Sequence, residues 1–270
     1  MIQKEEQLLV YNNSIHFNFK DFKREYAVQI SIDGEIDDDV SNISYNAKVH
    51  YTKEYTKPYF FTEVVISNFL LNEKPPQTTM QNIALECSKA IEKCVFQVNT
   101  KNEIIGLDNY KEIVEKWRHI KEKIVQEYEG EIVDKYLAVF EKSLENETVL
   151  LEKIKKNLFI SQYFFPIFDE PYHGFQKKNV ETFNFFTIDY QEEVIVEIEN
   201  QGDFDENGKA TISKQLIKNQ DNTQLFPIKS YKTKYILNKD FQIEIIEGQF
   251  EVKNNKYSFE IRLFDDSIVR

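Results

Sequence analysis

The sequence predicts an α+β fold: a curved antiparallel β-sheet built from N- and C-terminal strands and packed against a central insert of about four helices. Apolar residues alternate with polar ones in the first and last thirds of the chain, and they recur at helical spacing in the middle third. No linker-like segment separates the thirds, so we expect a single domain over residues 1–270. Its parts are strands in residues 1–74, helices with a short hairpin in 75–165, and an antiparallel meander in 176–270.

The strands of the first third are predicted from period-two patterns. Bulky apolar side chains take every second position in residues 15–19, 26–32 and 43–51. This alternation is typical of a strand with one packed face and one wet face, as in antiparallel sheets. Residues 59–66 are more continuously apolar, which favours a central strand at that position.

The middle third begins with a recognisable helix start. Thr78 and Gln81 have the spacing of a capping box, in which each side chain bonds to the other residue's backbone N–H. Residues 95–107 predict a short hairpin after this first helix. Three amphipathic helices then follow, and Gly130 is expected to end the first of these three as a left-handed cap.

The last third predicts an antiparallel meander with one irregularity. Near Gly248 the apolar positions change from odd numbers, such as Ile243 and Ile245, to even numbers, such as Phe250 and Val252. Because side chains alternate between the two faces of a strand, a change of parity indicates an extra residue. We therefore expect a β-bulge around Gly248.

The charge balance restricts the classes of partner. The chain has 34 Lys and Arg residues against 46 Asp and Glu residues, a formal net charge of −12. A nucleic-acid-binding protein needs a basic surface, so nucleic acid is not expected as a partner. An acidic protein attracts a basic protein surface instead. No apolar run reaches the ~20 residues of a membrane-spanning helix, which predicts a cytoplasmic protein without a membrane span.

The two cysteines fit a reducing compartment. Cys87 and Cys94 both fall on the apolar stripe of the first predicted helix. Seven residues of helix separate them by ~10 Å, which is too far for a disulfide. We expect both to be small buried residues with free thiols.

The stretch GDFDENGK resembles the first half of a calcium-binding loop. Asp203, Asp205 and Asn207 take the first, third and fifth positions, but Lys214 stands where the twelfth position requires a bidentate Glu. The flanking segments are predicted to be strands rather than helices. A hairpin turn favours the same residue types, so we interpret the stretch as a solvated turn, with a weak surface cation site as the alternative.

No catalytic motif or cofactor-binding motif occurs in the chain. His16, His50 and His119 fall on polar faces of predicted elements, and only His173 lies in an irregular segment. Nucleophile-elbow, zinc-protease and phosphate-loop patterns do not occur. We therefore assign no catalytic residue and no cofactor, and we favour a protein that is not an enzyme. A hydrolase whose carboxylates meet only in the folded chain is the second alternative.

An aromatic segment over residues 163–175 carries the strongest candidate for a binding surface. The simplest interpretation is that its rings plug one end of the sheet. In the functional interpretation, Phe168 and Tyr172 anchor a partner and the polar residues form the rim. The residues assigned to this surface are Phe168, Asp169, Glu170, Tyr172 and His173.

The favoured hypothesis for function is binding of another protein, as an immunity-type inhibitor, an adaptor or a secretion-cargo chaperone. The acidic charge and the many Tyr and Phe residues motivate it. The first alternative is a carrier that holds an apolar ligand between sheet and helices, because known carriers share this order of elements. That analogy concerns the fold and says little about function. The sequence does not indicate an oligomeric state.

Overall fold

The computed structural model describes residues 21–34, 42–54, 56–168, 176–184, 191–200, 205–206, 208–219, 228–240, 242–252 and 255–264. Its strands are β1 (Phe22–Asp33), β2 (Asn42–Lys53), β3 (Phe60–Leu71), β4 (Lys93–Val98), β5 (Ile104–Leu107), β6 (Gln176–Asn184), β7 (Gln191–Asn200), β8 (Ala210–Asn219), β9 (Ile228–Leu237), β10 (Ile243–Val252) and β11 (Asn255–Leu263). Its helices are α1 (Thr79–Ser88), a 3-10 turn (Lys89–Ile91), α2 (Tyr110–Glu127), α3 (Glu131–Ser143), α4 (Glu147–Ile154) and α5 (Leu158–Tyr163).

The strands form one antiparallel sheet, which confirms the predicted α+β class. The order across the sheet is β5-β4-β3-β2-β1-β11-β10-β9-β8-β7-β6. Strand β1 pairs with β2 on one side and with β11 on the other, so the first and last described strands meet at the centre of the sheet. The hairpin predicted at residues 95–107 forms β4 and β5 and extends the sheet beyond β3.

One face of the sheet is packed and the other is wet, as the alternation predicts. Tyr26, Val28 and Ile30 of β1 are buried, while Gln29 and Ser31 on either side of Ile30 are exposed. The same alternation continues in β2, β9 and β11. Along most strands every second side chain lies on the packed face, which gives the sheet its core face. The apolar stripes of the helices belong to the same core.

Helix α1 begins with the predicted capping box. The Thr78 hydroxyl accepts a 3.2 Å hydrogen bond from the Gln81 backbone N–H, and the Gln81 side chain accepts a 3.1 Å bond from the Thr78 backbone N–H. Among the described residues, no helix combines the length and the apolar composition that a membrane-spanning helix requires.

The first helix is shorter than predicted, which changes the position of Cys94. Helix α1 ends at Ser88 and a single 3-10 turn leads into β4, where Cys94 lies. The prediction that both cysteines share one helix is therefore wrong. Cys87 and Cys94 are nevertheless buried and free, as expected. The apolar character of Cys94 matched the helical stripe by chance, because buried strands and buried helices both require apolar residues.

Gly130 begins a helix rather than ending one. Helix α2 ends at Glu127 with Tyr128 in an extended conformation, and Gly130 is the N-cap residue of α3. Its φ of 131° lies in the region that favours glycine. A residue at this φ is best a glycine, but Gly130 lies at the start of α3 and not, as predicted, at the end of α2.

Two irregularities in β10 lie on either side of Gly248. The pairing between β9 and β10 shifts between Ile243 and Ile245 and again between Glu251 and Val252, and the pairing of β10 with β11 runs through Gly248 without a shift. Gly248 has a different role, because a Cβ atom at this position would lie 2.4 Å from Cζ of Phe259. A glycine is needed here so that the Phe259 ring can lie against the backbone of β10.

Helix α5 and the residues after it lie at the centre of the core. The Phe159 ring packs against Tyr26 of β1, and Phe164 packs edge-on against Phe96 of β4. On the other side, Phe165 stacks on Tyr235 of β9. The sequence analysis missed α5, because its six residues are buried on nearly every side and show no amphipathic period.

A network of neutral side chains joins α5 to the N-terminal half of the sheet. Tyr51 donates a 2.6 Å hydrogen bond to Oδ1 of Asn102, and Nδ2 of Asn102 donates a 2.6 Å bond to the Tyr163 carbonyl. Tyr26 donates a 2.8 Å bond to the Ile243 carbonyl, and its hydroxyl lies 3.5 Å from that of Tyr163. We call Tyr26, Tyr51, Asn102 and Tyr163 the tyrosine network.

Candidate functional site at the β6 edge of the sheet

The sheet has two edge strands, and they differ in length and in cover. Strand β5 has four residues, and its Leu107 N–H donates a 3.3 Å hydrogen bond to the side chain of Glu147 on α4. Strand β6 has nine residues and pairs without a register shift to β7, its one neighbour in the described sheet. The outer edge of β6 therefore offers a longer and more regular series of backbone donors and acceptors than β5 does.

A row of apolar side chains crosses the wet face beside this edge. Val180 of β6 pairs with Ile195 of β7, and Ile195 lies beside Ile217 of β8, at the register shift between these two strands. Val180 is 54% exposed and Ile217 is 46% exposed. We call these three residues the apolar row. Ile195 between them is half-buried, so the row presents two exposed apolar residues joined by a third, which is typical of a protein-binding surface at a sheet edge.

The core face of the same strand carries an ion pair. Glu181 lies one residue after Val180, and its Oε1 is 2.7 Å from Nζ of Lys214. Lys214 lies on β8, two strands inside the edge, and its side chain is 0% exposed. A buried ammonium without a partner would be strongly unfavourable. The pair therefore fixes the edge strand β6 to β8.

Aromatic rings surround the buried ammonium. Nζ of Lys214 lies 3.7 Å from the centroid of the Phe165 ring and 4.9 Å from that of Tyr231. Burial by itself lowers the pKa of Lys214, but the Glu181 carboxylate together with Tyr231 and Tyr235 more than offsets this effect, and the pKa lies above its usual value. Lys214 is therefore protonated at neutral pH. A protonated amine is not a nucleophile, so this lysine contributes charge and position rather than covalent chemistry.

Helix α5 is joined to the ion pair through a glutamine. Oε1 of Gln162 accepts 3.3 Å hydrogen bonds from the hydroxyls of Tyr231 and Tyr235, both on β9. Burial raises the pKa of both tyrosines. The hydroxyls thus remain neutral donors at physiological pH. We call Gln162, Glu181, Lys214, Tyr231 and Tyr235 the lysine cluster.

The lysine cluster keeps unused hydrogen-bonding capacity. Oε2 of Glu181 and Oγ1 of Thr233 are buried and have no hydrogen-bond partner among the described groups. Thr233 lies opposite Lys214 in the pairing of β8 with β9 and contacts the Tyr231 hydroxyl, although without hydrogen-bond geometry. The carboxylate oxygen of Glu181 is therefore the clearer unsatisfied acceptor, and it lies at the edge strand.

The structure describes only part of the aromatic segment that the sequence singled out. The ring of Phe168 is 0% exposed, and Tyr163, Phe164 and Phe165 are also buried. Burial of these rings favours the plug interpretation over the anchor interpretation for Phe168. Asp169, Glu170, Tyr172 and His173 lie outside the described residues, so their assignment to a binding surface stays a prediction.

The calcium-like stretch is flanked by strands β7 and β8, as predicted. Asp205 accepts a 2.8 Å hydrogen bond at Oδ1 from the Lys209 backbone N–H, and its own N–H donates to the Lys209 carbonyl. Asp203 and Asn207 lie outside the described residues. Among the residues that are described, no group of three potential metal ligands comes together. The contacts of Asp205 are those of a turn, and both the solvated turn and the weak cation site at Asp203, Asp205 and Asn207 stay predictions.

The two described histidines lie where the sequence placed them. His119 is exposed on α2, with Glu115 3.7 Å from its Nε2. His50 faces the wet side of β2 between the buried residues Val49 and Tyr51. His16 and His173 lie outside the described residues.

The sequence analysis missed both parts of the candidate site, although each left a trace in the sequence. Lys214 takes a core-facing position between Ile212 and Leu216, and a lysine at an apolar parity position indicates a buried charge. Val180 and Ile217 show the opposite pattern, because each takes a wet-face position in its strand. Ile195 of β7 joins them into one row only through strand pairing, which a single sequence does not reveal.

Comparison with known proteins identifies no relative. No known protein family matches the chain, and no characterised protein matches its sequence. The functional inference therefore depends on the geometry of the described residues.

Proposed function

We propose that this protein acts by binding another protein, and that it does so by adding an extended segment of the partner to β6. The observation that carries the proposal is the β6 edge itself: nine regularly paired residues with the apolar row beside them. Strand addition obtains affinity from main-chain hydrogen bonds and specificity from the side chains on the two faces. The immunity, adaptor and chaperone roles inferred from the sequence all require such a surface.

The lysine cluster supports this proposal by making the edge rigid. The ion pair between Glu181 and Lys214 fixes the middle of β6, so the strand does not have to be ordered when a partner binds. Preorganisation of this kind lowers the entropic cost of association. The charge of −12 supports a partner with a basic surface and argues against nucleic acid. Cytoplasmic localisation stays a prediction.

A comparison of the two edges tests the proposal. Val180→Lys places a charge in the apolar row, and Ile105→Lys is the matched control, because Ile105 is 53% exposed on the other edge strand, β5. Each protein would be used as bait in its native lysate, followed by quantitative mass spectrometry. We expect a stoichiometric partner that the wild type and Ile105→Lys retain and that Val180→Lys loses.

Amide hydrogen exchange of the purified complex locates the contact. We expect the amides of β6 to exchange more slowly in the complex than in the free protein, with those of β5 unchanged. Equal recovery of the partner by both variants, or unchanged exchange in β6, would contradict binding at this edge.

The carrier alternative has less support from the interior. Phe159, Tyr163, Phe165 and Phe168 fill the space between α5 and the sheet with the chain's own rings. A ligand between helix and sheet would have to displace them. Native mass spectrometry of the purified protein tests this alternative, since a bound lipid-like mass would favour the carrier.

We also propose that the sheet curves around α5, as the sequence analysis expected. Residues 159–165 contact both Phe96 on β4 and Lys214 on β8, and these strands are seven positions apart in the sheet. In a flat sheet this separation is ~33 Å at 4.7 Å per strand. The two contacts are made by consecutive residues, Phe164 and Phe165, whose Cα atoms lie only ~3.8 Å apart, so in a flat sheet their side chains and partners would have to cover the remaining ~29 Å. Small-angle X-ray scattering tests the curvature, because a flat sheet would have a larger maximum dimension.

A further inference from the structure

We propose that a second copy of this chain is a partner of β6, through antiparallel pairing of two β6 strands about a two-fold axis at Val180. The two 11-stranded sheets would then form one continuous sheet. This inference rests on the proposed function, because it requires that the β6 edge accept a strand. It goes further by naming the occupant.

The register follows from the length and sequence of the strand. Val180 is the central residue of the nine in β6, so a two-fold axis at Val180 pairs all nine residues. An axis at Lys178 would place two lysines directly opposite each other, and an axis at Asn179 would leave the ends of β6 unpaired. The pairs in the proposed register are Val180 with Val180, Asn179 with Glu181, Lys178 with Thr182, Lys177 with Phe183, and Gln176 with Asn184. No like charges oppose each other.

The apolar row becomes continuous across the joint. Val180 of one copy lies opposite Val180 of the other, and each valine pairs with Ile195 of its own β7. The row then runs through both molecules, with Ile217 at each end. Exposed β-branched side chains become partly buried against each other, which is the usual contribution of cross-strand pairs. An isologous contact of this kind closes on itself and gives a dimer rather than a filament.

A second complementary contact between the two copies lies on the core face of β6. Glu181 has a buried carboxylate oxygen without a hydrogen-bond partner among the described groups. In the proposed register the Asn179 side chain of the second copy lies directly opposite Glu181, at the ~5 Å Cβ spacing of paired strands. The oxygen is buried in the single copy, so the Glu181 side chain would turn toward the edge to accept a hydrogen bond from this amide N–H. The two-fold axis makes this bond twice.

The net charge of each copy opposes dimerisation, and it determines whether added salt strengthens or weakens the dimer. Each copy carries −12, so two copies repel at long range. The edge itself carries Lys177, Lys178 and Glu181, a balance of two positive charges against one negative charge. Salt screens the long-range repulsion beyond ~8 Å at physiological ionic strength, while the backbone pairing is unaffected. We therefore expect dimerisation to strengthen as salt is added.

Sedimentation velocity over a concentration series at two salt concentrations tests self-association. We expect a concentration-dependent dimer in the wild type and in Ile105→Lys, the matched control on the other edge. Val180→Lys places two ammonium groups opposite each other on the axis, so we expect its dimer to be at least about tenfold weaker. A wild type that stays monomeric at all concentrations, or a Val180→Lys variant that dimerises as the wild type does, overturns the proposal.

Single cysteines test the register. Val180→Cys places two thiols opposite each other and should form a disulfide dimer under mild oxidation, whereas two Gln176→Cys residues would lie ~27 Å apart along the strands and should not. Cys87 and Cys94 do not interfere, because both are buried and burial raises the pKa of their thiols to about 11 and about 12. Cross-linking of both cysteine variants alike, or of neither, overturns the register. A thermal melt of each variant confirms that it is folded.

The outcomes separate this inference from the proposed function. If the purified chain is monomeric but a partner from the lysate still binds the wild type and not Val180→Lys, the second copy is wrong and strand addition stands. If the chain is monomeric and the lysate experiment also shows no difference between the variants, both proposals fail.

Discussion

The tyrosine network and the lysine cluster lie on opposite sides of α5 and join it to the sheet in different ways. Both join α5 to buried strands, and both are built from tyrosines and one amide side chain. The tyrosine network is neutral, and its Asn102 and Tyr51 groups make short bonds of 2.6 Å. The lysine cluster contains a buried ion pair, longer bonds of 3.3 Å to Gln162, and an unsatisfied carboxylate oxygen on Glu181.

The difference shows which region is built for packing and which has capacity for a partner. A satisfied neutral network gains little from any further contact, because its donors and acceptors are already used. The ion pair between Glu181 and Lys214 fixes β6, an edge strand of the described sheet. One carboxylate oxygen of Glu181 has no hydrogen-bond partner among the described groups. Four predictions test this contrast, from the largest expected effect to the smallest.

Removal of Glu181 should have the largest effect on stability. Glu181→Ala leaves the ammonium of Lys214 buried without a counter-charge, and loss of one partner of a buried pair costs about 3–5 kcal/mol. Urea unfolding followed by circular dichroism measures the change. The control is the double variant Lys214→Met, Glu181→Leu, which we expect to be close to the wild type, since an apolar replacement of both partners removes the burial penalty. If Glu181→Ala costs less than about 1 kcal/mol, the pair does not fix β6.

Removal of the Asn102 side chain should have the next largest effect. Asn102→Ala removes the acceptor of Tyr51 and the donor to Tyr163, and it forces alanine into a φ of 70°. Two unsatisfied buried groups and the strained backbone together should cost about 2–4 kcal/mol. Asn102→Gly separates the two causes, because glycine adopts this φ without strain. A full recovery in Asn102→Gly would mean that the side-chain bonds contribute nothing.

Removal of a single tyrosine hydroxyl should lower the free energy of unfolding by a smaller amount, and the amount should differ between the two regions. Tyr26→Phe removes the 2.8 Å bond to the Ile243 carbonyl and should cost about 1 kcal/mol. Tyr235→Phe should cost less, because Gln162 keeps its bond from Tyr231. Thermal melts of the two variants measure the difference. The reverse order would mean that the lysine cluster, and not the tyrosine network, is the more tightly bonded region.

The alkaline limit of stability comes last, because its effect is absent at neutral pH and appears only as the pH rises above ~10. Burial raises the pKa of Tyr26, Tyr51 and Tyr163 in the folded chain above 10.0, the value of an unperturbed tyrosine. Between the two pKa values the unfolded chain has lost protons that the folded chain still holds. The stability that is present below pH ~10 is therefore lost as the pH rises through the folded values. Each Tyr→Phe replacement should reduce the slope by up to ~1.4 kcal/mol per pH unit. Urea unfolding at pH 9 to 11 measures it, and an unchanged slope would mean that the tyrosine ionises freely in the folded chain.

Local patterns predicted much of the fold and little of the site. The alternation in residues 26–32 and 43–51 correctly predicted β1 and β2, and the Thr78 capping box correctly predicted the start of α1. Cys94 was misplaced because an apolar residue fits a buried helix and a buried strand equally well. Parity predicts a bulge around Gly248, whereas the two register shifts lie on either side of it, since parity reports that a slip exists and not where it occurs.

The sequence by itself determined the α+β class, the antiparallel pairing of the meander, the free cysteines and the acidic charge. These properties depend on composition and on periodicity over a few residues, both of which can be read from the sequence without the strand order. Only the tertiary structure decided that Lys214 meets Glu181, that Ile195 lies between Val180 and Ile217, and that β6 is an edge strand of the described sheet. The physical reason is that strand order and register are set by long-range packing, in which residues 33 positions apart in the chain, such as Glu181 and Lys214, become neighbours.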